Sequence, residues 1–412
     1  MHGSGISVGM LRTISSEQLR PGMYVQKVCG AWMEHPFWRT SFLAEEGEVA
    51  RIHASCVTEL VIDTDRGLDV PVDPDAPSSA PVPTVPPTAD PDPVVADDDI
   101  RASLASELVR ARQIFEQGRG TVEAMFQEVR LGRTIDPATA MPLVEAINDS
   151  VLRNPQALIS LARLKTADNY TYLHSMAVAA LMSALARQLG LSAPEVLEAA
   201  MGGLLHDMGK ASTPLDILNK PGRLTDQEME VVRLHPVDGH RLLTQGGVEN
   251  AVVLEIALHH HEKMDGTGYP HRLAGEEISL MARMGAICDV YDAISSDRPY
   301  KRGWDPAESL KQMASWKGHF DPPIFNAFVR CLGIYPVGSL VRLASQKLAV
   351  VIEQNPGTLL KPVVRVFYSA RLDRHVLLQD IDLSRAGCQD RIAQLESASS
   401  WGFRDLDKLW MS

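Results

Sequence analysis

Residues 206–210 read His206-Asp207-Met208-Gly209-Lys210, and this stretch does most to define the fold of the 412-residue chain. Eight of the thirteen histidines lie between His174 and His271, in less than a quarter of the length. Imidazole nitrogens and carboxylate oxygens together suit iron, manganese, cobalt or zinc. The concentration of histidines around a His-Asp pair therefore predicts a buried metal centre.

The spacing of the motif suggests how a first metal shell forms. On one α-helix, His206, Asp207 and Lys210 would share a face, since residues three and four apart are neighbours. His174 precedes the pair by 32 residues, enough for a helix, a turn and a return helix. Asp289 lies in a largely apolar segment, where a buried carboxylate is costly unless it is paired or metal-bound. We predict one shell of His174, His206, Asp207 and Asp289.

A second shell is predicted from His235 and two members of the run His259-His260-His261. The capping-box signature of residues 225–228 begins a helix, and Pro236 should end it at His235. The histidine run could be a solvated helix face, but it is internal and follows the apolar segment 251–258, which favours ligation. Spacing alone leaves open which two of the three histidines face the metal.

Composition excludes several other classes of protein. The net charge of -12 disfavours binding to nucleic acid polymers, which depends on a basic surface. No run of about 18 apolar residues and no charged-then-apolar leader occurs, so we expect a cytoplasmic protein without a membrane span. None of the five cysteines shares a CxxC spacing, which argues against a thiolate zinc site, and Cys288 is predicted to be a core residue.

The predicted fold class is mainly α. A helical bundle carries the binuclear metal site, between a small β-rich N-terminal domain and a small β-rich C-terminal appendage. The predicted segments are 1–68 (regulatory or packing domain), 69–100 (Pro/Asp-rich linker), 101–150 (connecting helices), 151–335 (catalytic domain) and 336–412 (β-rich region with a terminal helix).

The two β-rich regions are predicted from short apolar runs in the sequence. The predicted strands include residues 22–26, 59–63, 339–343, 348–352, 363–368 and 375–378. Trp32, Phe37 and Trp38 should supply apolar bulk to the N-terminal domain, with an aromatic ligand pocket as the alternative.

An ordered series of motifs resembles the HD-GYP domain, a subgroup of the HD superfamily of metal-dependent phosphohydrolases. The series is His174, His206-Asp207-x-x-Lys210, His235, His260-His261-Glu262-x-x-Asp265-Gly266-x-Gly268-Tyr269-Pro270 and Asp289. The resemblance extends from Tyr170 to Phe325 and includes 218–222 and 289–301. The segment 22–25 also resembles a domain of unknown function often found ahead of HD-GYP domains.

This resemblance implies an HD-type helical bundle that hydrolyses cyclic di-GMP to pGpG, and in some members on to GMP, in the bacterial cytoplasm. It implies two divalent transition metal ions, iron or manganese. Its register assigns His260 and His261 as the paired ligands and leaves His259 as an outer-shell or packing residue. The implied metal ligands are His174, His206, Asp207, His235, His260, His261 and Asp289.

The catalytic hypothesis has Asp207 bridging the two ions and a metal-held hydroxide attacking phosphorus in line with the departing 3' oxygen. Lys210 would contact a substrate phosphate and offset its developing charge. Glu262 or Asp265 would assist proton transfer or orient a histidine, and orientation suits Glu262 better.

The resemblance also implies substrate contacts beyond the metal site. Arg298 and Lys301 would bind phosphate or guanine, with a solvated helix end as the alternative. The loop Gly268-Tyr269-Pro270 would control substrate access and dock GGDEF-domain partners, or else form a rigid turn in the cleft wall.

One departure from the family pattern concerns a third metal ion. Members with three metals carry a glutamate four residues before the first histidine, where this chain has Tyr170; Asp168 lies six residues back. We therefore predict two metals. The alternatives are an HD-type phosphohydrolase of another cyclic nucleotide and a weakly active scaffold that binds GGDEF partners; a homodimer is a further prediction.

Overall fold

The computed structural model describes residues 11–29, 42–46, 49, 53, 59–64, 66–68, 102–133, 136–164, 170–220, 222–296, 303–355 and 357–411. The chain forms two compact units, Met1–Val94 and Val95–Ser412. The predicted linker at 69–100 and the aromatic residues Trp32, Phe37 and Trp38 lie outside the described residues.

The first unit contains a four-stranded antiparallel sheet. Its strands are β1 (Leu11–Ser15), β2 (Tyr24–Cys29), β3 (Phe42–Leu43) and β4 (Glu59–Asp63), in the order β1-β4-β2-β3. Leu60 and Ile62 alternate along β4 and are fully buried with Val25, because alternate residues of a strand share a face. The predicted β-rich N-terminal domain is confirmed.

The second unit begins with a helical bundle. Its helices are α1 (Leu104–Arg130), α2 (Met141–Arg153), α3 (Pro155–Ala162), α4 (Tyr170–Gln188), α5 (Ala193–Leu205), α6 (Leu215–Leu218), α7 (Asp226–Val232), α8 (His235–Gln245), α9 (Ala251–His259), α10 (Leu280–Ser295), α11 (Pro306–Ser315) and α12 (Pro322–Leu332). The predicted mainly α class is confirmed.

Small residues let α4 and α5 approach closely at the centre of the bundle. Ala177, Leu181 and Leu185 repeat at four-residue spacing on α4 and are buried, as their periodicity predicts. A Cβ on Gly203 of α5 would lie 3.0 Å from the Cα of Ala179. This close approach brings the start of α4 and the end of α5, which carry functional side chains, next to each other.

A buried ion pair ties α1 to α2. The carboxylate of Glu107 is fully buried and accepts hydrogen bonds from Arg153 Nε and Nη2, both at 2.9 Å, and from Ser150 Oγ at 2.7 Å. Burial raises the pKa of Glu107, but these hydrogen bonds, with one from Arg110, outweigh it and hold the pKa below its usual value.

A five-stranded antiparallel sheet follows the helices. Its strands are β5 (Leu340–Leu343), β6 (Lys347–Glu353), β7 (Val363–Ser369), β8 (Arg374–Asp382) and β9 (Ile392–Leu395), in the order β8-β7-β6-β5-β9. Leu348 and Val350 join the core of the bundle, while Ala349 and Val351 face a second apolar cluster. The sheet therefore packs on both faces, as period-two alternation allows.

The C-terminal β-rich region is thus confirmed, with two differences in detail. Strand β9 was not predicted, because its sequence, Ile-Ala-Gln-Leu, is short and carries a weak apolar pattern. The single terminal helix that we predicted is two four-residue helices, α13 (Ala398–Trp401) and α14 (Lys408–Met411). None of the helices in the described ranges combines the length and apolarity needed to cross a membrane.

Candidate metal centre

Seven side chains from five parts of the bundle converge at one place. They are His174 on α4, His206 and Asp207 directly after α5, His235 at the start of α8, His260 and His261 directly after α9, and Asp289 on α10. All except His261 are at most 6% exposed. The structure therefore brings together the whole set that the sequence indicated.

Asp207 lies at the middle of the cluster. Its Oδ2 atom is 3.3 Å from both His174 Nε2 and His206 Nε2, and its Oδ1 atom is 3.3 Å from His235 Nε2. Asp289 Oδ1 is 3.1 Å from His174 Nε2. The two oxygens of one carboxylate thus face different groups of histidines.

Two sets of potential ligand atoms can be distinguished. One consists of His174, His206 and Asp207, and the other of His235, His260 and His261; within each set the donor atoms lie within 4.8 Å of one another. Asp289 approaches both sets, since its Oδ2 atom lies 3.7 Å from His261 Nδ1. His259 lies outside both sets and binds Glu255 and His271, each at 2.9 Å.

The second nitrogens of the buried histidines are held by acceptors. His206 Nδ1 donates to Gly203 O at 2.8 Å, His235 Nδ1 to Val232 O at 2.7 Å, and His260 Nδ1 contacts Ile256 O at 3.0 Å. These bonds direct each Nε2 atom into the cluster, an arrangement typical of metal-ligating histidines.

Asp292 orients His174 and was missed in the sequence. Its Oδ2 atom lies 2.6 Å from His174 Nδ1. The spacing of the two aspartates could have revealed this role. Asp289 and Asp292 lie three residues apart on α10 and therefore on one helical face. We had instead assigned the orienting role to Glu262, whose Oε1 atom accepts from the backbone N of His271 at 2.7 Å. That expectation was wrong, because Glu262 closes the following loop.

The motif itself does not lie on a single helix, contrary to our expectation. The α-helix ends at Leu205, Asp207 adopts φ -97° and ψ 7°, and a 3-10 helix spans Met208–Ser212. The physical reason is close packing against α8, because a Cβ on Gly209 would lie 1.9 Å from the backbone oxygen of His235. Lys210 Nζ still reaches Asp207 Oδ2, at 2.5 Å.

The position of His235 also differs from the prediction. The capping box of Thr225 and Glu228 begins α7 as predicted, but α7 ends at Val232, and His235 is the first residue of α8 rather than the end of a helix. Pro236 lies in the first turn of α8, where a missing N–H costs nothing. The proline therefore lies at the start of the helix that carries His235.

The loop after α9 packs Tyr269 against the cluster. A Cβ on Gly268 would lie 2.5 Å from the Cα of Glu262, so only glycine fits there. The ring of Tyr269 stacks on His261, with centroids 4.7 Å apart and planes at 26°. The carboxylate of Asp265 accepts from Thr267 N and Oγ1, at 3.0 and 2.6 Å, which gives it a role in shaping the loop.

The charges at the centre suit a cation. Burial raises the pKa values of Asp207 and Asp289, but the neighbouring histidines and, for Asp207, Lys210 lower both well below the usual value. Burial lowers the pKa of His261 to about 3, and it lowers the pKa of His260 well below its usual value. Ionised carboxylates and neutral imidazoles are the forms that bind metals.

The nearby carboxylates raise the pKa values of two further histidines, His174 and His206. Burial lowers the pKa of His174, but hydrogen bonds to Asp207, Asp289 and Asp292 raise it to about 10. Burial also lowers the pKa of His206, but the charge of Asp207 outweighs burial and the pKa is raised. The same negative field favours a divalent cation, which carries more charge than a proton.

Two buried polar atoms of the cluster lack a hydrogen-bond partner in the described part of the chain and so indicate whether a metal ion would fit there. His206 Nε2 and Asp207 Oδ1 have no hydrogen-bond partner among the described residues, although buried polar atoms nearly always have one. His206 Nε2 lies 3.3 Å from Asp207 Oδ2, but without hydrogen-bond geometry. His206 and Asp207 both belong to the first set of potential ligands, and imidazole with carboxylate is a suitable donor set. The residues therefore fit a divalent-metal centre.

Three residues of the prediction cannot be placed. Arg298, Lys301 and Asp168 lie outside the described residues. Tyr170, which replaces the glutamate of three-metal members, is the first residue of α4. The absence of a third metal therefore stays a prediction.

Comparisons with known proteins agree with the fold and with this cluster. Residues 145–324 match the family model of the HD domain, and residues 11–140 match a domain of unknown function, DUF3391. The second unit therefore contains an HD domain, the fold of metal-dependent phosphohydrolases, and the cluster of histidines and aspartates lies within the matched range.

Named relatives define the family more narrowly. A cyclic di-GMP phosphodiesterase of Pseudomonas aeruginosa is 51% identical over 403 residues, which cover 97% of this chain and 96% of that protein. The cyclic di-GMP phosphodiesterase response regulator RpfG of Xanthomonas campestris is 40% identical over 46% of this chain and 50% of its own. A 3'3'-cGAMP-specific phosphodiesterase of Vibrio cholerae is 38% identical over 39% of this chain and 38% of its own. The chain belongs to the HD-GYP family of HD-domain phosphodiesterases and shares nearly its whole length with the Pseudomonas protein.

Proposed function

We propose that this protein is a phosphodiesterase that hydrolyses cyclic di-GMP to pGpG, with GMP as the alternative end product. The proposal is supported by the name of a relative that is 51% identical over 97% of the chain. Seven metal-binding side chains provide a site suited to attack on a phosphodiester.

The observation that carries the proposal is the position of Asp207. One of its carboxylate oxygens faces His174 and His206, and the other faces His235. Such a carboxylate can bridge two cations, and a pair of cations suits hydrolysis of phosphate esters. We therefore assign all seven side chains as the residues that would hold the two ions, with Asp207 placed to contribute to both.

Two divalent ions, iron or manganese, fit the donor set of five imidazoles and two carboxylates. When bound, they would lower the pKa of a water molecule and stabilise negative charge on the phosphoryl oxygens. The protein holds the ligands in place through Asp292 and the carbonyls that accept from the histidines. Lys210, beside Asp207, offsets charge on the nonbridging oxygens of the phosphate.

Substrate contacts outside the metal ligands are part of the same proposal. Tyr269 lies against His261 and, with Gly268 and Pro270, forms a wall beside the cluster. We also assign Arg298 and Lys301 to phosphate or guanine binding, on the strength of the family motif.

An activity panel tests the proposal. The full chain, purified without oxygen and loaded with manganese or iron, is given cyclic di-GMP, 3'3'-cGAMP and cyclic di-AMP, and products are separated by chromatography. We expect the fastest turnover for cyclic di-GMP, with pGpG appearing first. Asp207→Asn should abolish turnover, whereas the matched control Asp238→Asn, a carboxylate paired with Arg241 on α8, should leave it unchanged.

A second candidate substrate is 3'3'-cGAMP, which the name of the Vibrio relative favours. Faster turnover of 3'3'-cGAMP in the panel would replace cyclic di-GMP as the substrate. Turnover of none of the three by protein that retains its metal would favour the signalling scaffold.

The partner predictions rest on the family resemblance alone. GGDEF-domain proteins would dock at the loop of Gly268, Tyr269 and Pro270, and two copies of the chain would form a homodimer. A pull-down with Tyr269→Ala and sedimentation of the purified chain test these two points. The cytoplasmic location is proposed in the same way, and cell fractionation tests it.

A further inference from the structure

An exposed arginine lies beside the aromatic wall of the metal centre. Arg233 follows α7 and precedes the ligand His235 by two residues. Its guanidinium carbon lies 5.7 Å from the centroid of the Tyr269 ring, and that ring stacks on His261. Tyr269 therefore connects a metal-binding imidazole with a cation at the surface.

The charge of Arg233 is not used by any ion pair among the described residues, unlike that of its neighbour Arg241, which pairs with Asp238 at 3.0 Å. Lys210, the cation inside the centre, is already in contact with Asp207. The protein as a whole carries a net charge of -12, which opposes the approach of an anion. An arginine at the edge of the site offsets this repulsion locally.

We propose that Arg233 binds the substrate at the part of the cyclic dinucleotide that is not being cleaved, by pairing with its second phosphate. A guanidinium can form two parallel hydrogen bonds to a phosphate, and its planar face can rest on an aromatic ring at the same time. This inference rests on the proposed function, because it needs a substrate with two phosphates.

Tyr269 acts as a positioning residue in this arrangement. Its ring is held by stacking on His261, and its backbone N donates to His261 O at 3.2 Å. A cation over a fixed ring keeps fewer orientations than one in open solvent. The guanidinium is therefore held near the centre before the substrate arrives.

Kinetics with two substrates of different size can show whether Arg233 binds substrate or only supports the structure. Cyclic di-GMP has a second phosphate, whereas bis(p-nitrophenyl) phosphate is a diester with only the phosphate that is cleaved. For Arg233→Gln we expect the KM for cyclic di-GMP to rise about tenfold or more, as loss of a charged hydrogen bond implies. Its kcat, and both constants for bis(p-nitrophenyl) phosphate, should stay within about twofold of the wild type.

The matched control is Arg241→Gln, which removes an exposed arginine that pairs with Asp238 on α8. It should leave the KM for both substrates unchanged. Arg233→Lys keeps the charge but loses the paired hydrogen bonds, and it should fall between the wild type and Arg233→Gln. Equal losses on both substrates would overturn the proposal, since they would mean that Arg233 acts only by supporting Tyr269 and His261. No change on either substrate would overturn it as well.

Binding measurements keep this test independent of the proposed function. Calorimetry in an Asp207→Asn background compares the affinity for each cyclic dinucleotide with and without Arg233→Gln. A loss of about tenfold for whichever dinucleotide binds best supports the role of Arg233, even if that dinucleotide is not cyclic di-GMP. Equal affinities would reject the role of Arg233 and leave the phosphodiesterase assignment intact.

Discussion

His174 Nδ1 and Asp292 Oδ2 lie 2.6 Å apart in the buried interior, and their hydrogen bond joins α4 to α10. The bond leaves His174 Nε2 facing Asp207 and Asp289. Asp292 also accepts from Ser296 Oγ at 3.2 Å, which holds the carboxylate in position. The orientation of His174 thus depends on its hydrogen bond to Asp292.

We expect Asp292→Asn to weaken metal retention about 10- to 100-fold, the usual effect of losing a partner that orients a histidine ligand. Dialysis against graded chelator followed by elemental analysis measures this. Asp238→Asn, at an exposed ion pair, serves as the control. Unchanged retention in Asp292→Asn would show that packing alone orients His174.

Lys210→Ala should lower kcat about 100- to 1000-fold with a smaller effect on metal content, because Lys210 is predicted to stabilise charge that develops on the phosphate. Steady-state kinetics with metal-loaded protein measures the effect. The control is Lys311→Ala, which removes an exposed lysine paired with Glu308. If Lys210→Ala instead loses its metal, the main role of the lysine is to stabilise Asp207.

Gly209→Ala should disrupt the centre, because the new Cβ would meet the backbone oxygen of His235 and the nitrogen of Gly239. We expect the variant to unfold at lower temperature and to bind metal weakly. Gly120→Ala is a matched control in α1, where a Cβ meets nothing within 4 Å. It should stabilise the protein by about 0.5–1 kcal/mol, since alanine favours a helix interior. Equal effects of the two changes would contradict the close packing that we describe.

Arg153→Ala should destabilise the second unit by about 3 kcal/mol, the lower part of the range for a buried charge left without its partner, since Arg153 is partly exposed. The pKa of Glu107 is lowered in the folded state, so the pair stabilises the protein above the usual glutamate pKa of 4.5. This contribution is lost as the pH falls through the lowered pKa.

Urea unfolding of the wild type and Arg153→Ala at pH 7 and at lower pH tests both points. The difference in unfolding free energy between the two proteins should shrink as the pH falls. A constant difference would show that Arg153 contributes through packing rather than through its charge.

Asp305 gives the opposite pH dependence. Burial raises its pKa to about 6, although its carboxylate accepts from Ala307 N at 3.0 Å and caps α11. Between the usual aspartate pKa of 3.8 and about 6, the unfolded chain has lost this proton while the folded protein keeps it. The contribution of Asp305 to the free energy of unfolding therefore falls as the pH rises through that window.

We expect Asp305→Asn, which keeps the capping oxygen without the charge, to gain stability relative to the wild type as the pH rises from about 4 to about 6. Chemical unfolding across this range measures the change. Identical pH profiles for the two proteins would mean that Asp305 keeps its usual pKa.

The sequence by itself determined which residues to expect together in the candidate site. The resemblance of the ordered motif from His174 to Asp289 to the HD-GYP domain identified all seven side chains that converge, including the choice of His260 and His261 that spacing alone had left open. Local patterns also predicted the capping box at Thr225, the buried face of α4 and the C-terminal strands, because these depend on neighbours in the chain.

Only the tertiary structure decided how those residues meet. The break after Leu205 accompanies the close contact of Gly209 with the backbone of His235, which belongs to a different helix. Asp292 and Arg233 gained their roles in the same way, through neighbours that lie 118 and 36 residues away. Periodicity reports the face of a helix, whereas the partner on that face depends on the packing of the whole bundle.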